Sequence, residues 1–593
     1  MAGWALAWSR DHSPLDSSRW AQSVVAAVRY GGSMAEHRSD RIAMAAWRRS
    51  GGEFPLSGRI VPVDGAHVAW VGQCVDDAGD TTEHAISRVA ANPFDSADVA
   101  SLNGPFAAAT VRARPFEVRV LTDRHRQYPV YIYRGSRVVV TSTEIRCLVP
   151  WLEQPELDRD AVELLLRCGE LIDRQTLLKG VEMLPPGSVL SDSGSVATDE
   201  RYWSMRSDGM GSSASSAEDI GEKLKVGVRR LEAVTQRLGI TLSGGLDSRI
   251  ILDLCRRPDR VPSFTWGLPG CRDIACASEF ARVVKSPHVV RHWDPNAFAP
   301  LWSRGVDLTG GSCGIESMFM LPFVPLLASN CDVVFNGLAG DVILGGNWLK
   351  HSWLKEPDIQ RLGQLVWRWR VPEQHDQLVD RLTRRALGPS SARERWVASI
   401  AAREGARPVE RLNDWLVENR IFRTTNCGTM LLRGGVESHS PFFDRDFIDA
   451  LCRVHQDAKF KHRLYLAVMN RVAPRAASVS WQRTNISPAR GYYANLTAMA
   501  FQSLATRVGK PIGLRPFRDL QVADPAGWFR GPWRSVAERI VFGSRLLGRG
   551  LVDADVLREI WNAHMNGADH SRQLSVLIAI ELFARTMIDV NAA

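Results

Sequence analysis

A chain of 593 residues with 45% hydrophobic and 23% charged residues has the make-up of a globular protein of two or more domains, each large enough for a core of its own. No apolar run reaches membrane-spanning length, and the opening MAGWALAWSRDHS has no basic region ahead of its apolar stretch. These features argue against a membrane protein and a secretory signal, and give the expectation of a cytoplasmic chain. The net charge of +9 is spread along the sequence, which reads as a solvated surface rather than a nucleic-acid groove, with local basic patches free to attract an acidic peptide or a polyanion. Ten cysteines, at 74, 147, 168, 255, 271, 276, 313, 331, 427 and 452, lack C-x-x-C pairs and are expected as reduced, mostly buried thiols rather than zinc ligands or disulfides.

In chain order, short β-rich segments come first: AHVAWVG (66–72), FAAATVRA (106–113), FEVRVLTD (116–123), PVYIYR (129–134) and RVVVTS (137–142). With helices near 19–29 and 159–168 they suggest a layered antiparallel sheet structure. SMRSDGMGSSASS (204–216) is rich in Ser and Gly and marks a seam. Beyond it the rhythm becomes strand and helix in alternation: ITLS, a helix to about 256, PSFTWG (262–267), a helix from about 273, VVRHW (289–293) and DVVFNG (332–337). That alternation predicts a parallel, doubly wound sheet. The final third reads as helices. The expected class is α/β, divided into 1–203, a linker at 204–216, and 217–593.

Two stretches carry chemistry. ITLSGGLDSRI (240–250) runs from an apolar strand through two glycines into residues of helical spacing, Leu246, Ile250, Ile251 and Leu254. Such a loop either points backbone N–H groups at phosphate oxygens or is an ordinary βα turn using Gly244 and Gly245 for their backbone freedom. VVFNGLAGDVILGG (333–346) repeats the pattern. In a parallel sheet both loops leave the carboxyl edge, where ligands of such folds bind, so Asp247 and Asp341 would face one another. Two hard carboxylates beside a phosphate loop suit Mg²⁺; the alternative for Asp341 is a helix cap.

With these residues in place, SGGLDS (243–248) resembles the pyrophosphate loop of ATP pyrophosphatases. Its order with GLAGD (337–341) and ESHSPFFD (437–444) resembles asparagine synthetase and its relatives. DRHRQYPVYIY (123–133), STEIRCL (142–148) and KGVEMLPPGSVL (179–190) look like the end of that family's amidotransferase half. The resemblance implies a glutaminase-like (Ntn-type αββα) domain followed by a synthetase domain that splits ATP to AMP and pyrophosphate. The departures are informative. Where the family begins Met-Cys-Gly this chain has Met1-Ala2-Gly3, and a methyl group is no nucleophile. The segment resembling the Asn-Gly-Glu glutamine site reads Val71-Gly72-Gln73, without the amide that would stabilise an oxyanion, and Cys74 beside it has no catalytic motif around it.

Loss of the glutaminase resembles β-lactam synthetases and lasso-peptide cyclases, which activate a carboxylate with ATP and close a ring with an amine of the same substrate. The resemblance implies that Leu242, Ser243, Gly244, Gly245, Asp247 and Ser248 cradle the phosphates. Phe264, Thr265, Trp266 and Gly267 would contact adenine, Gly337 would belong to the second nucleotide loop, and Asp247 with Asp341 would hold Mg²⁺. Glu437 either orients a catalytic side chain or makes a structural salt bridge. The family's lysine three residues after a tryptophan is absent from Trp481-Gln482-Arg483-Thr484, which leaves Arg483 to supply charge on pyrophosphate. β-Lactam synthetases carry a tyrosine where this chain has Leu338, which turns the expectation toward a macrolactam. The expected function is therefore ATP- and Mg²⁺-dependent closure of a peptide, with precursor-processing proteins as partners. An amide synthetase using ammonia or a small amine, and a non-catalytic scaffold, share the motifs.

Overall fold

The computed structural model describes residues 2–11, 13–27, 32–48, 54–194, 197–207, 217–235, 237–509 and 518–589. The first strand, Gly3–Ser9 (GWALAWS), accounts for the layering of the N-terminal half. Successive side chains of a strand point to opposite faces, so Trp4, Leu6 and Trp8 turn inward toward Val71, Ala107, Ala109 and Val118 of a second sheet. Ala5 and Ala7 turn outward with Ala43 and Ala45, against Trp20 and Leu165 of the helices Ser17–Ala27 and Arg159–Cys168. Alanines on that face allow the helices to approach closely.

Each sheet has six antiparallel strands. The first is ordered 181–183, 131–134, 138–142, 3–9, 42–48, 33–38, and the second 197–201, 188–192, 117–122, 106–112, 66–72, 59–63. The outer face of the second, with Val68, Trp70 and Ala108, is covered by helix Thr82–Ala90 through Ala85, Ile86 and Val89. Helix, sheet, sheet and helix are thus stacked around one inner core, the αββα arrangement that the resemblance implied. The expected strands lie within one or two residues of those found. The first helix spans Ser17–Ala27, and the end assigned to it at 28–29 falls outside the described residues.

The second half is built on five parallel strands in the order His288–His292, Ser263–Gly267, Leu238–Thr241, Val333–Phe335, Glu437–His439. The chain moves outward in one direction for three strands and then returns to the other side of Leu238–Thr241. The resulting reversal lies between Leu238–Thr241 and Val333–Phe335, the kind of position where a doubly wound sheet opens a crevice at its carboxyl ends. This connectivity fixes the place of the site.

The helical end of the chain is integral to the core. Helix Ser571–Met587 is apolar on most sides and buried along its length, as expected of a helix enclosed by other elements. Leu577, Ile578 and Phe583 share one cluster with Trp151, Leu165 and Leu166 of the N-terminal half. Of the seam, only 204–207 are described: Met205 and Ser207 are buried, and Ser207 bonds the Asp414 carboxylate through its N–H at 2.8 Å and its hydroxyl at 2.6 Å. Residues 208–216 lie outside the described set. All ten cysteines are free, and only Cys452 is not fully buried. No described helix is long and apolar enough to cross a membrane.

Asp444 joins the two halves. One carboxylate oxygen caps helix Arg445–Cys452 by accepting the N–H groups of Asp446 and Phe447, while the other accepts Asn103 Nδ2 at 2.8 Å and Arg230 Nη1 at 3.1 Å. Asp444→Ala removes a cap and two buried polar contacts together. It is expected to cost about 2–4 kcal/mol, measured as a lower urea midpoint with ligand binding preserved in the folded protein.

Candidate active site

A cleft of about 480 Å³ opens where the strand order reverses. Its phosphate-side wall is the loop after Leu238–Thr241. Ser243 N–H donates to Ser248 Oγ at 2.8 Å, and the two hydroxyls lie 3.1 Å apart, so the serines tie the loop to the first turn of helix Asp247–Leu254. Gly244 is needed for close approach rather than for a left-handed backbone: a Cβ there would lie 2.9 Å from both the Asp273 carbonyl and Gln482 Cβ. Its N–H already donates to Asp273 Oδ1 at 3.0 Å, so Gly244 shapes the loop while Ser243, Gly245 and Ser248 line the cleft. Leu242 also lines it, and Thr265 Oγ1 holds the Leu242 carbonyl at 2.7 Å.

Across the opening, strand alternation sorts the four residues assigned to adenine. Phe264 and Trp266 line the cleft. Thr265 faces the other way, and Gly267 abuts Cys271, where a Cβ would come within 2.8 Å of the sulfur. Trp266 is held by stacking on Phe323 at 4.7 Å. Phe319, Met320 and Val522 complete the apolar end, so a segment far along the chain closes a wall that the motifs did not announce.

Asp247 and Asp341 meet on the floor. Asp341 N–H donates to Asp247 Oδ2 at 3.0 Å, and Tyr465 O–H donates to Asp247 Oδ1 at 2.6 Å. Asp341 is in turn held by Asn347 Nδ2 and His462 Nε2. Burial, and then the neighbouring charge of Asp341, push the Asp247 carboxyl well above the usual carboxylate range. Each of these oxygens has a second lone pair beyond its hydrogen bond. Among the described residues no group of three or more His, Cys, Asp or Glu forms a metal cluster. The two adjacent carboxyl groups suit a hard cation that completes its shell with phosphate and water.

Arg483, Trp481 and Gln482 form the opposite rim. Arg249, fully buried, staples this rim to the phosphate loop: Nε donates to the Gly245 carbonyl at 2.6 Å, and Nη1 to the Val479 and Ser480 carbonyls at 3.1 and 3.2 Å. Burial pushes its guanidinium down to about 10. Lys461 stands close enough to Arg483 and Lys350 that, after burial, their charges lower its amine further. Lys461 and His462 both adopt a left-handed backbone, φ +52° and +67°, a strained arrangement for residues other than glycine. Tyr465, His462, Asn347, Asp273 and Arg249 belong to no motif in the sequence, since each reaches the site through a tertiary contact.

Glu437 lies elsewhere. It opens the last parallel strand, at the end opposite the cleft, pairing with Val333. There it binds Arg433 at 2.6 Å and accepts Tyr128 O–H at 3.0 Å. Arg433 also sits over the Tyr128 ring at 3.8 Å. Despite burial, the charge of Arg433 holds the Glu437 carboxyl below its ordinary value. Of the two roles open to Glu437, this geometry is that of the salt bridge. Glu437→Gln strands a guanidinium whose side chain is 1% exposed and is expected to cost about 3–5 kcal/mol in stability, with turnover per folded molecule retained. Gly337→Ala should do the reverse: its Cβ would lie 2.8 Å from Asp247 Cβ and Ser248 N, so the two loops must part and turnover should fall more than tenfold with little loss of stability.

The asparagine synthase family model matches residues 220–481, a span holding both loops, the carboxylate pair and Trp481. No curated protein matches the chain. Among solved structures, a glutamine phosphoribosylpyrophosphate amidotransferase from B. subtilis complexed with ADP and GMP aligns at 11% identity and a TM-score of 0.24, covering 49% of this chain and 65% of its own. A structure of the allosteric regulatory enzyme of purine biosynthesis aligns at 11% identity and 0.25, covering 49% and 80%. Both likenesses are too slight to bear on function. The family match falls on the span that builds the cleft, and this asparagine synthase domain supports an ATP-dependent amide synthetase of the AMP-forming carbon–nitrogen ligase class.

Proposed function

We propose that the protein closes a peptide into a macrolactam, activating a side-chain carboxylate with ATP and joining it to an amine of the same molecule. The observation that carries the ATP half is the pairing of Asp247 and Asp341 beside the serine-bound loop. These two carboxylates would hold Mg²⁺, whose chemistry there is to neutralise charge on departing pyrophosphate. Ser243, Gly245 and Ser248 would seat the phosphates, and Phe264 and Trp266 would flank the adenine. Arg483 would supply a cation on the rim, and Lys461 stands near enough to Arg483 for the two charges to interact.

In the first step a substrate carboxylate oxygen bonds to the α-phosphorus of ATP, and pyrophosphate leaves. In the second, the amine nitrogen attacks the acyl carbon and loses a proton, and AMP leaves with the oxygen. Holding amine and acyl group together supplies on the order of 7–11 kcal/mol of the barrier. Two features argue against glutamine as the source of the nitrogen. Position 2 holds a methyl group, and Gln73 is buried with its amide donated to Asp80 at 3.0 Å, so neither offers glutaminase chemistry. The second reading, an amide synthetase using free ammonia or a small amine, uses the same cleft.

The test incubates the protein with ATP, Mg²⁺, candidate precursor peptides and isotopically labelled ammonia. A cyclase yields AMP, pyrophosphate and a peptide that has lost one water and carries no label. Labelled product favours the second reading, and ADP with phosphate contradicts adenylation. Arg483→Ala is expected to slow turnover more than tenfold, with Arg483→Lys intermediate because charge survives without the planar fork.

A further inference from the structure

A second cavity, of about 280 Å³, lies in the seam between the two halves, far from the phosphate loop in sequence. Arg126, Arg174 and Arg201 line it from the N-terminal half; Arg403, Glu418 and Asn419 line it from the helical part of the second. The rim charges are matched. Glu418 pairs with Arg201 at 2.7 Å and with Arg403, and Arg174 pairs with Glu182 at 3.0 Å and Asp199 at 2.7 Å. Arg126 is not. It is 3% exposed, its Nε has no partner among the described residues, and its Nη atoms reach only the Leu184 and Glu418 carbonyls at 3.3 and 3.5 Å. Behind it Arg423, also 3% exposed, bonds only backbone carbonyls among the described residues, those of Asp173 and Gln175. Burial, followed by the charge of Arg423, pushes the Arg126 guanidinium down to about 9.

Two local distortions converge here. Arg126 has φ +50°, a costly backbone for a long side chain. Glu418, Asn419 and Arg423 stand on a nine-residue π-helix, Val417–Thr425, a rare form that gathers at functional sites. The nearest carboxylate to Arg126, Glu418, is already shared between Arg201 and Arg403, and burying a cation without a paired counter-charge of its own works against folding, so fold stability alone does not account for Arg126. We infer that this cavity is a binding site for a compact oxyanion, a phosphate or carboxylate group gripped by the Arg126 fork and screened by the Arg174 and Arg201 rim. Arginine is the side chain suited to such two-point recognition.

The experiment is thermal unfolding of the full chain with Mg²⁺ and a saturating non-hydrolysable ATP analogue, so that the larger cleft is filled, titrated separately with inorganic phosphate and with succinate. Wild type should show a saturable rise in midpoint with at least one anion, and the more effective anion identifies the class. Arg126→Gln should weaken that response at least tenfold while its midpoint without anion stays level or rises. Arg174→Gln, at the partly exposed rim, should weaken it a few-fold, and it keeps the test available should position 126 tolerate no change. The absence of a saturable response to either anion in wild type, or the same response in Arg126→Gln and Arg174→Gln as in wild type, overturns the site.

Discussion

The hydrogen bond from Asp341 N–H to Asp247 Oδ2 is the contact on which the rest of the site depends. It brings together two loops separated by more than ninety residues, and it is possible because Gly337 presents no side chain to Asp247. The strand order places those loops side by side at the carboxyl edge, and the bond then fixes their spacing. Two carboxylates held this close repel, and Tyr465, Asn347 and His462 are all spent on holding them. Three polar side chains committed to keeping two carboxyl groups adjacent support the proposed role of the pair in holding a cation with its phosphate ligands.

Arginine carries the longer-range order. Arg249 links the phosphate loop to the rim that bears Arg483, Arg433 joins Tyr128 of the first half to the last parallel strand, and Arg230 holds Asp444 and Asp446 together. In each case a planar fork satisfies several acceptors from different elements, which a lysine point charge does not do. The N-terminal half thus remains part of the working structure whatever its chemistry, because its aromatic and apolar surface closes the core around helix Ser571–Met587.

Much of this was legible in the sequence because it is local. The strands read at AHVAWVG and FEVRVLTD, and the strand–loop–helix passage at SGGLDS, depend on neighbours a few residues apart, whereas the strand Gly3–Ser9 was not read from the sequence. Tyr465, His462 and Arg249, which hold the residues that line the cleft, approach their partners through the folded chain, and no spacing announces them. Glu437 shows the converse: it heads a stretch of family likeness, yet it lies at the far end of its strand, where charge pairing governs it. The four residues 264–267 were named as one adenine contact, and strand alternation divides them. The π-helical turn over 417–425 likewise was not read from the sequence.

The central claim, that Asp247 and Asp341 create a metal-dependent nucleotide site at the sheet reversal, is tested most directly by calorimetric titration of a non-hydrolysable ATP analogue with and without Mg²⁺. The account predicts binding to wild type that tightens strongly with Mg²⁺, and a loss of that tightening in Asp247→Asn and Asp341→Asn, which keep side-chain shape but lose an anionic ligand. An unchanged Mg²⁺ dependence in both variants would contradict it.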